Sequence, residues 1–239
     1  MARAPSRAAE PLHAERPSDP WSDLVLTLPM FVGYHIGVIF LPIRNATDVV
    51  TRELVALADH DMAAYGGLTL GIGLVYVLVL GLAGRGHALR WQRFLLIGAE
   101  GVAYAVAMRL AASYVVGRVF LGGAPSGPFA GLVMSLGAGF YEELAFRVVL
   151  FGAGLNVVRL VFPSTTPVGR VLVPVIWALA TAAVFSGWHY LGPLGDPFDA
   201  QSFLFRWVCG AAFVTIYALR GFAPVVWTHA IYDIWVMVL

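Results

Sequence analysis

Seven apolar stretches, each close to the length that crosses a bilayer, dominate this 239-residue chain. They fall at 24–43, 62–83, 94–116, 129–155, 171–190, 203–219 and 222–239; a spanning helix needs about 20 residues. Inside hydrocarbon no water satisfies backbone N–H and C=O groups, so each stretch must close its own hydrogen bonds as a helix. The expected fold is all-α: a polytopic transmembrane helix bundle of about seven membrane helices, or eight if the long fourth segment splits. Composition agrees. Apolar residues make up 59% of the chain and charged residues 12%, against roughly 45–50% and 25% in soluble domains. That excludes a disordered chain, a basic nucleic-acid binder and an ordinary soluble enzyme. The single cysteine, Cys209, excludes an internal disulfide framework and a multi-cysteine zinc site. Lying mid-helix among apolar neighbours, it reads as an inert packed thiol.

Residues 1–23 are polar and rich in Arg, Pro and Ala, and read as a disordered tail. The membrane domain is then 24–239, with the chemistry confined to 129–239. Loops on the N-terminal side carry nine arginines: Arg3, Arg7, Arg16, Arg85, Arg90, Arg93, Arg159, Arg170 and Arg220. Loops on the other side carry three: Arg44, Arg52 and Arg118. Positive charge favours the cytoplasm, so the N-terminus is expected there. The expected setting is a multi-pass position in a bacterial inner membrane.

The loop 44–61 spaces Val49, Val50, Leu54, Leu57 and Ala58 as a short amphipathic helix would. Asp59, His60 and Asp61 resemble a metal cluster, but Asp61 better suits the cap of the next helix. Asn45-Ala46-Thr47 fits the short pattern of a glycosylation acceptor. Small residues recur four apart at Gly33/Gly37, Gly67/Gly71 and Gly131/Ser135/Gly139, a spacing that lets helices approach closely in lipid.

The third of these rows leads into Gly139-Phe140-Tyr141-Glu142-Glu143-Leu144-Ala145-Phe146-Arg147. Each charge at bilayer depth costs at least about 2.5–3.5 kcal/mol, so the three need partners. Glu143 and Arg147 are four apart and share a helix face, which predicts an ion pair. Glu142 points elsewhere and is free to exchange a proton, as a general base or acid must. Two further helices bring polar groups into apolar surroundings: Phe185 and His189 are four apart, as are His229 and Asp233. Each pattern alone has a plain structural explanation as a latch or a packed histidine. Together they are most economically placed around one cavity. Glu100 and Arg109 are nine apart, on nearly opposite faces, and do not pair with each other. Arg109 is expected to meet an acid of another helix or to snorkel.

Glu142-Glu143-xxx-Arg147, Phe185-xxx-His189 and His229-xxx-Asp233 together resemble the three ordered motifs of the CPBP intramembrane proteases. That family includes the type II CAAX prenyl endopeptidases and the Abi-like bacteriocin-processing or self-immunity proteins. The resemblance covers about 129–239. It implies that Glu142 activates a water for attack on a peptide carbonyl and that His189 helps to hold that water. His229 and the residue at 233 would stabilise the oxyanion, with no covalent intermediate. Glu143, Arg147 and Phe185 would support the site. Asn is common in the family at the position of Asp233, and ionised Asp cannot donate a hydrogen bond. Asp233 could instead orient His229 and favour its charged form.

Two Glu, two His and an Asp also make a plausible metal-ligand set. The HExxH pattern is absent, and the expectation is no cofactor, with a divalent metal as the alternative. The expected partners are a membrane-associated protein or peptide substrate and the lipid bilayer, and no nucleic acid. Candidate substrates are a C-terminal prenylated peptide, a C-terminal sorting signal and a bacteriocin leader. The competing class is a non-proteolytic membrane protein, either an immunity or peptide-binding protein or a proton-coupled transporter. No repeat supports the transporter.

Overall fold

The computed structural model describes residues 20–41, 43–83, 91–117, 127–192 and 195–239. Most of the expected tail, and Arg85, Arg90 and Arg118 of the arginine count, lie outside them. Eight helices follow in order: α1 (Pro20–Phe40), α2 (Val49–Leu57), α3 (Met62–Ala83), α4 (Gln92–Val116), α5 (Pro128–Val161), α6 (Pro167–Trp188), α7 (Ala200–Arg220) and α8 (Phe222–Met237). No strand occurs among the described residues. All the long helices except α8 are long and apolar enough to cross a membrane, and the protein is an integral membrane helix bundle. The fourth segment does not split: α5 is one run of 34 residues. At 1.5 Å per residue it is about 51 Å long, well over the ~30 Å hydrocarbon core.

The shortest of the long helices is the best enclosed. α8 has 16 residues and packs against α1, α4, α5 and α7. Its apolar surface runs all the way round, as a central helix requires. It can stop short because protein meets its ends. Gly221, at φ 96°, makes the turn from α7 in a single left-handed residue. The Phe222 N–H is then capped from across the bundle by Asp23 Oδ2 at 2.8 Å. On α5, a Cβ at Gly139 would lie 2.8 Å from the Ala230 Cβ and 2.9 Å from the Val226 carbonyl oxygen, so only glycine allows this crossing. Gly33 and Gly37 admit Leu136 and Val133 of α5 in the same way. The Gly67/Gly71 row differs: nothing lies within 4 Å of either position. It sits on α3, a peripheral helix held by α1 and α2, whose Leu70, Leu74, Val77 and Leu78 are exposed where lipid would cover them.

The sequence alone puts His189 and His229 at different depths, more than 15 Å apart at 1.5 Å per residue. The structure resolves this through an overshoot. The Trp177 indole N–H donates to the Leu150 and Phe151 carbonyls at 3.2 Å, and Phe151 stacks edge-on with Tyr217 near the α7–α8 turn. Trp177, and not Pro167, is therefore level with the start of α8. Roughly the first three turns of α6 lie beyond it, and its C-terminal end consequently reaches the depth of His229.

Candidate active site

Glu143 is the pivot of the site. Its Oε2 pairs with the Arg147 Nε at 2.9 Å, both side chains being fully buried. Its Oε1 accepts the Nδ1–H of His229 at 2.6 Å. The i,i+4 ion pair expected on one helix is thus also the orienting partner of a histidine on another. Arg147 finds its remaining surroundings in aromatic rings: its guanidinium carbon is 4.2 Å from the Phe185 centroid and 5.0 Å from that of Phe213. Ring faces are favourable neighbours for a cation that has left water. Phe213 also stacks on His229, with centroids 4.5 Å apart. Between them, Glu143 and Phe213 fix the plane and the tautomer of the His229 ring, and its Nε2 is the nitrogen turned to the cavity.

Two carboxylates face that nitrogen. Glu142 Oε2 is 4.0 Å from it and Asp233 Oδ2 is 3.5 Å away. The backbone delivers both acids of the pair to this place through wide turns. α5 is π-helical over Ala138–Glu142 and again over Leu144–Ala153. Such turns are rare and recur at functional sites.

The other oxygen of Glu142 has a partner that the motifs do not include. Asn45, in the turn after α1, donates its amide N–H to Glu142 Oε1 at 2.8 Å. The amide cannot flip without loss, because its Oδ1 accepts from the Thr47 N–H at 2.9 Å and the Thr47 hydroxyl at 2.5 Å. The turn is itself anchored. The Tyr34 hydroxyl accepts the Asn45 N–H at 3.0 Å and donates to Asp48 Oδ2 at 2.7 Å. Asp48 Oδ1 caps α2 through the Thr51 N–H. His35 bridges the hydroxyls of Tyr65 and Tyr141, tying the same region to the residue before Glu142. Asn45 is buried and occupied, so the Asn-x-Thr pattern is an internal hydrogen-bonding unit and not an exposed glycosylation acceptor.

His189 ends α6, and its Nδ1–H donates to the Phe185 carbonyl at 3.0 Å. Its ring and that of His229 both pack edge-on against Phe185, at centroid distances of 5.1 and 5.9 Å. Among the described residues no hydrogen bond joins His189 to Glu142. Yet Glu142, His189, His229 and Asp233 all line one cavity of about 540 Å³, with Asn45, Phe185, Cys209 and Phe213. At its mouth Arg206 of α7 pairs with Asp196 at 2.6 Å and lies over the Tyr190 ring.

Several residues belong elsewhere. Among the described residues Arg109 forms no ion pair with an acid; it sits 4.6 Å from the Trp235 ring centroid, a cation–π contact. Glu100 takes Arg220 in a two-pronged pair at 2.6 and 3.1 Å. Asp61 caps α3, its Oδ1 accepting from the N–H groups of Ala63 and Ala64, beside exposed Asp59 and His60. Among the described residues no three His, Cys, Asp or Glu side chains converge as metal ligands would. Both oxygens of Glu143 and one of Glu142 are already committed.

Compared with known proteins, residues 124–235 match the family model described as type II CAAX prenyl endopeptidase Rce1-like. The span holds all three motifs and every expected site residue; Asn45 lies outside it. Comparison with curated proteins and with solved structures returned no match.

Proposed function

Since residues 124–235 match the Rce1-like family model, we propose that the chain is a CPBP-type intramembrane protease and hydrolyses a peptide bond of a membrane-associated protein with a water activated by Glu142. The family is one of CAAX-type proteases; the glutamate mechanism is our reading. The observation that carries it is the position of Glu142: one oxygen held by Asn45, the other free, 4.0 Å from His229 Nε2 and facing a cavity able to admit water and a peptide. In this scheme Glu142 Oε2 takes a proton from water as it attacks the scissile carbonyl. His189 holds the water from the opposite wall. His229, with Nδ1–H committed to Glu143, turns a second proton on Nε2 toward the developing oxyanion. Glu142 then passes its proton to the leaving amine, so no covalent intermediate forms. Asp233 sits beside His229 as a secondary influence. In this reading the reaction needs no metal, and full activity is expected after exhaustive chelation; metal recovered stoichiometrically with activity would reverse it. The substrate is a C-terminal prenylated or sorting peptide, or a bacteriocin leader.

The test is Glu142→Gln in the purified, detergent-solubilised chain. It keeps shape and hydrogen bonding while removing the base, and a general base contributes roughly 10²–10⁴-fold. Cleavage at the wild-type rate would overturn the assignment. A peptide-binding or immunity protein would keep its function in Glu142→Ala, which a protease cannot. The arginine distribution supports an N-terminus in the cytoplasm.

A further inference from the structure

We infer that the catalytic cavity opens to the extracytoplasmic face and takes the membrane-anchoring segment of a protein already translocated, not a cytoplasmic C-terminus. This rests on the proteolytic reading above and narrows its substrate. The cavity mouth is formed by Arg44 and Ala46 after α1, Leu191 and Asp196 after α6, and Met237 at the end of α8. These are all one end of the bundle. Cross-bundle contacts fix which end. The starts of α1 and α8 meet through Asp23 and Phe222, and the start of α1 meets the end of α3 through Trp21 and Leu80. The start of α5 meets the end of α8 at Gly131 and Met237. The mouth therefore lies opposite the end where α1 begins.

The sequence assigns the two ends to sides. Read along the sequence, loops on the N-terminal side of the apolar segments carry nine arginines and loops on the other side three. Leaving out Arg3, Arg7 and Arg16, the count is still six against three. Arg206 at the mouth, held by Asp196, would add one to the poorer side without changing the order. Short loops of this kind obey the positive-inside bias. The closed end is then cytoplasmic and the mouth faces out.

The depth of the site limits the substrate further. Eight residues separate His229 from Met237 along α8, or about 12 Å at 1.5 Å per residue. An extended peptide covers roughly 3.3 Å per residue. The cleaved bond thus lies about four residues inside the outer edge of the substrate's anchoring segment.

Two measurements test this with the full chain. In a Cys209→Ala background, Ala46→Cys marks the mouth and Thr165→Cys marks the α5–α6 loop at the closed end; both positions are exposed. A membrane-impermeant maleimide applied to intact cells is expected to label position 46, and to label position 165 only after lysis. The reverse pattern, or equal labelling from both sides, overturns the proposal. Labelling needs no activity, so this failure is read separately from that of the Glu142 assignment. In the native host, the deletion strain and one carrying Glu142→Ala are compared by membrane proteomics. Retained segments are expected on proteins with translocated domains. Retained cytoplasmic C-terminal peptides overturn the substrate class.

Discussion

Two regions meet at Glu142, and they are built from different chemistry. The region of α5 and α8 contributes charge: Glu142, Glu143, Arg147, His229 and Asp233, held together by an ion pair at 2.9 Å and a carboxylate–imidazole bond at 2.6 Å. α1 and the turn after it contribute an amide and hydroxyls, with Asn45, Thr47 and Tyr34 joined by hydrogen bonds of 2.5–3.0 Å and a single acid, Asp48. In the proposed mechanism the first region performs the chemistry and the second aims it. In an apolar bundle, charged groups must be paired or their burial is prohibitive. Amides and hydroxyls need only one or two good bonds each. A site can therefore draw its reacting groups from one part of a chain and its alignment from another that carries no motif.

The sharpest break in this contrast comes from removing the charge pivot. Glu143→Gln leaves Arg147 fully buried without its anion and weakens the hold on His229. Breaking a buried pair on one side costs roughly 3–5 kcal/mol. The expected outcome is a large drop in thermal stability in detergent together with loss of cleavage. Unchanged stability would mean that Phe185 and Phe213, and not Glu143, are the essential partners of Arg147. Next in size is Asn45→Ala. A hydrogen bond to a charged group contributes roughly 1.5–3 kcal/mol, so kcat is expected to fall about 10- to 100-fold. Because Asn45 holds the proposed base and not the peptide, KM should stay nearly constant while kcat falls. A rise in KM with kcat preserved would make Asn45 a substrate contact.

The same contrast explains what was legible in the sequence. Glu143–Arg147 could be read because three charges inside an apolar helix demand partners and i,i+4 spacing supplies one. His229 and Asp233 were legible for the same reason, as were the membrane helices, whose length is set by the bilayer. That Glu143 also holds His229 was not, since a spacing rule describes one helix and not its neighbour. The shared depth of His189 and His229 depended on the α5–α6 overshoot, which rests on where Trp177 meets α5 and leaves no mark in a hydropathy pattern. Asn45 was hidden more deeply. A buried amide costs too little to stand out in composition, and its role is fixed by Tyr34 and Glu142, 11 and 97 residues away. The only trace was the Asn-x-Thr pattern, whose threonine keeps the amide from flipping.

That threonine gives a smaller and more selective effect. Thr47→Val deletes the hydroxyl bond to Asn45 Oδ1 but leaves the backbone N–H bond at 2.9 Å. A net bond of about 1 kcal/mol predicts a fall in kcat of roughly fivefold. Thr47→Ser should restore the rate. If valine is silent, the backbone bond alone orients the amide.

The smallest effect is expected at a charged motif residue, and it tests the contrast from the other side. Asp233 Oδ2 lies 3.5 Å from His229 Nε2, too far for a good hydrogen bond. Glu143, at 2.6 Å on the opposite nitrogen, already fixes the ring. Asp233→Asn therefore removes a nearby negative charge without releasing His229, and gives the cavity an amide N–H that can serve the oxyanion. Activity is expected to stay within roughly threefold of wild type, under 1 kcal/mol in barrier, while Asp233→Leu, which supplies no donor, falls further. Steady-state cleavage by the two variants decides the point. If asparagine is as damaging as Glu143→Gln, the carboxylate of Asp233 orients His229 directly. The division between a charged region that reacts and a neutral one that aims would then fail at this residue.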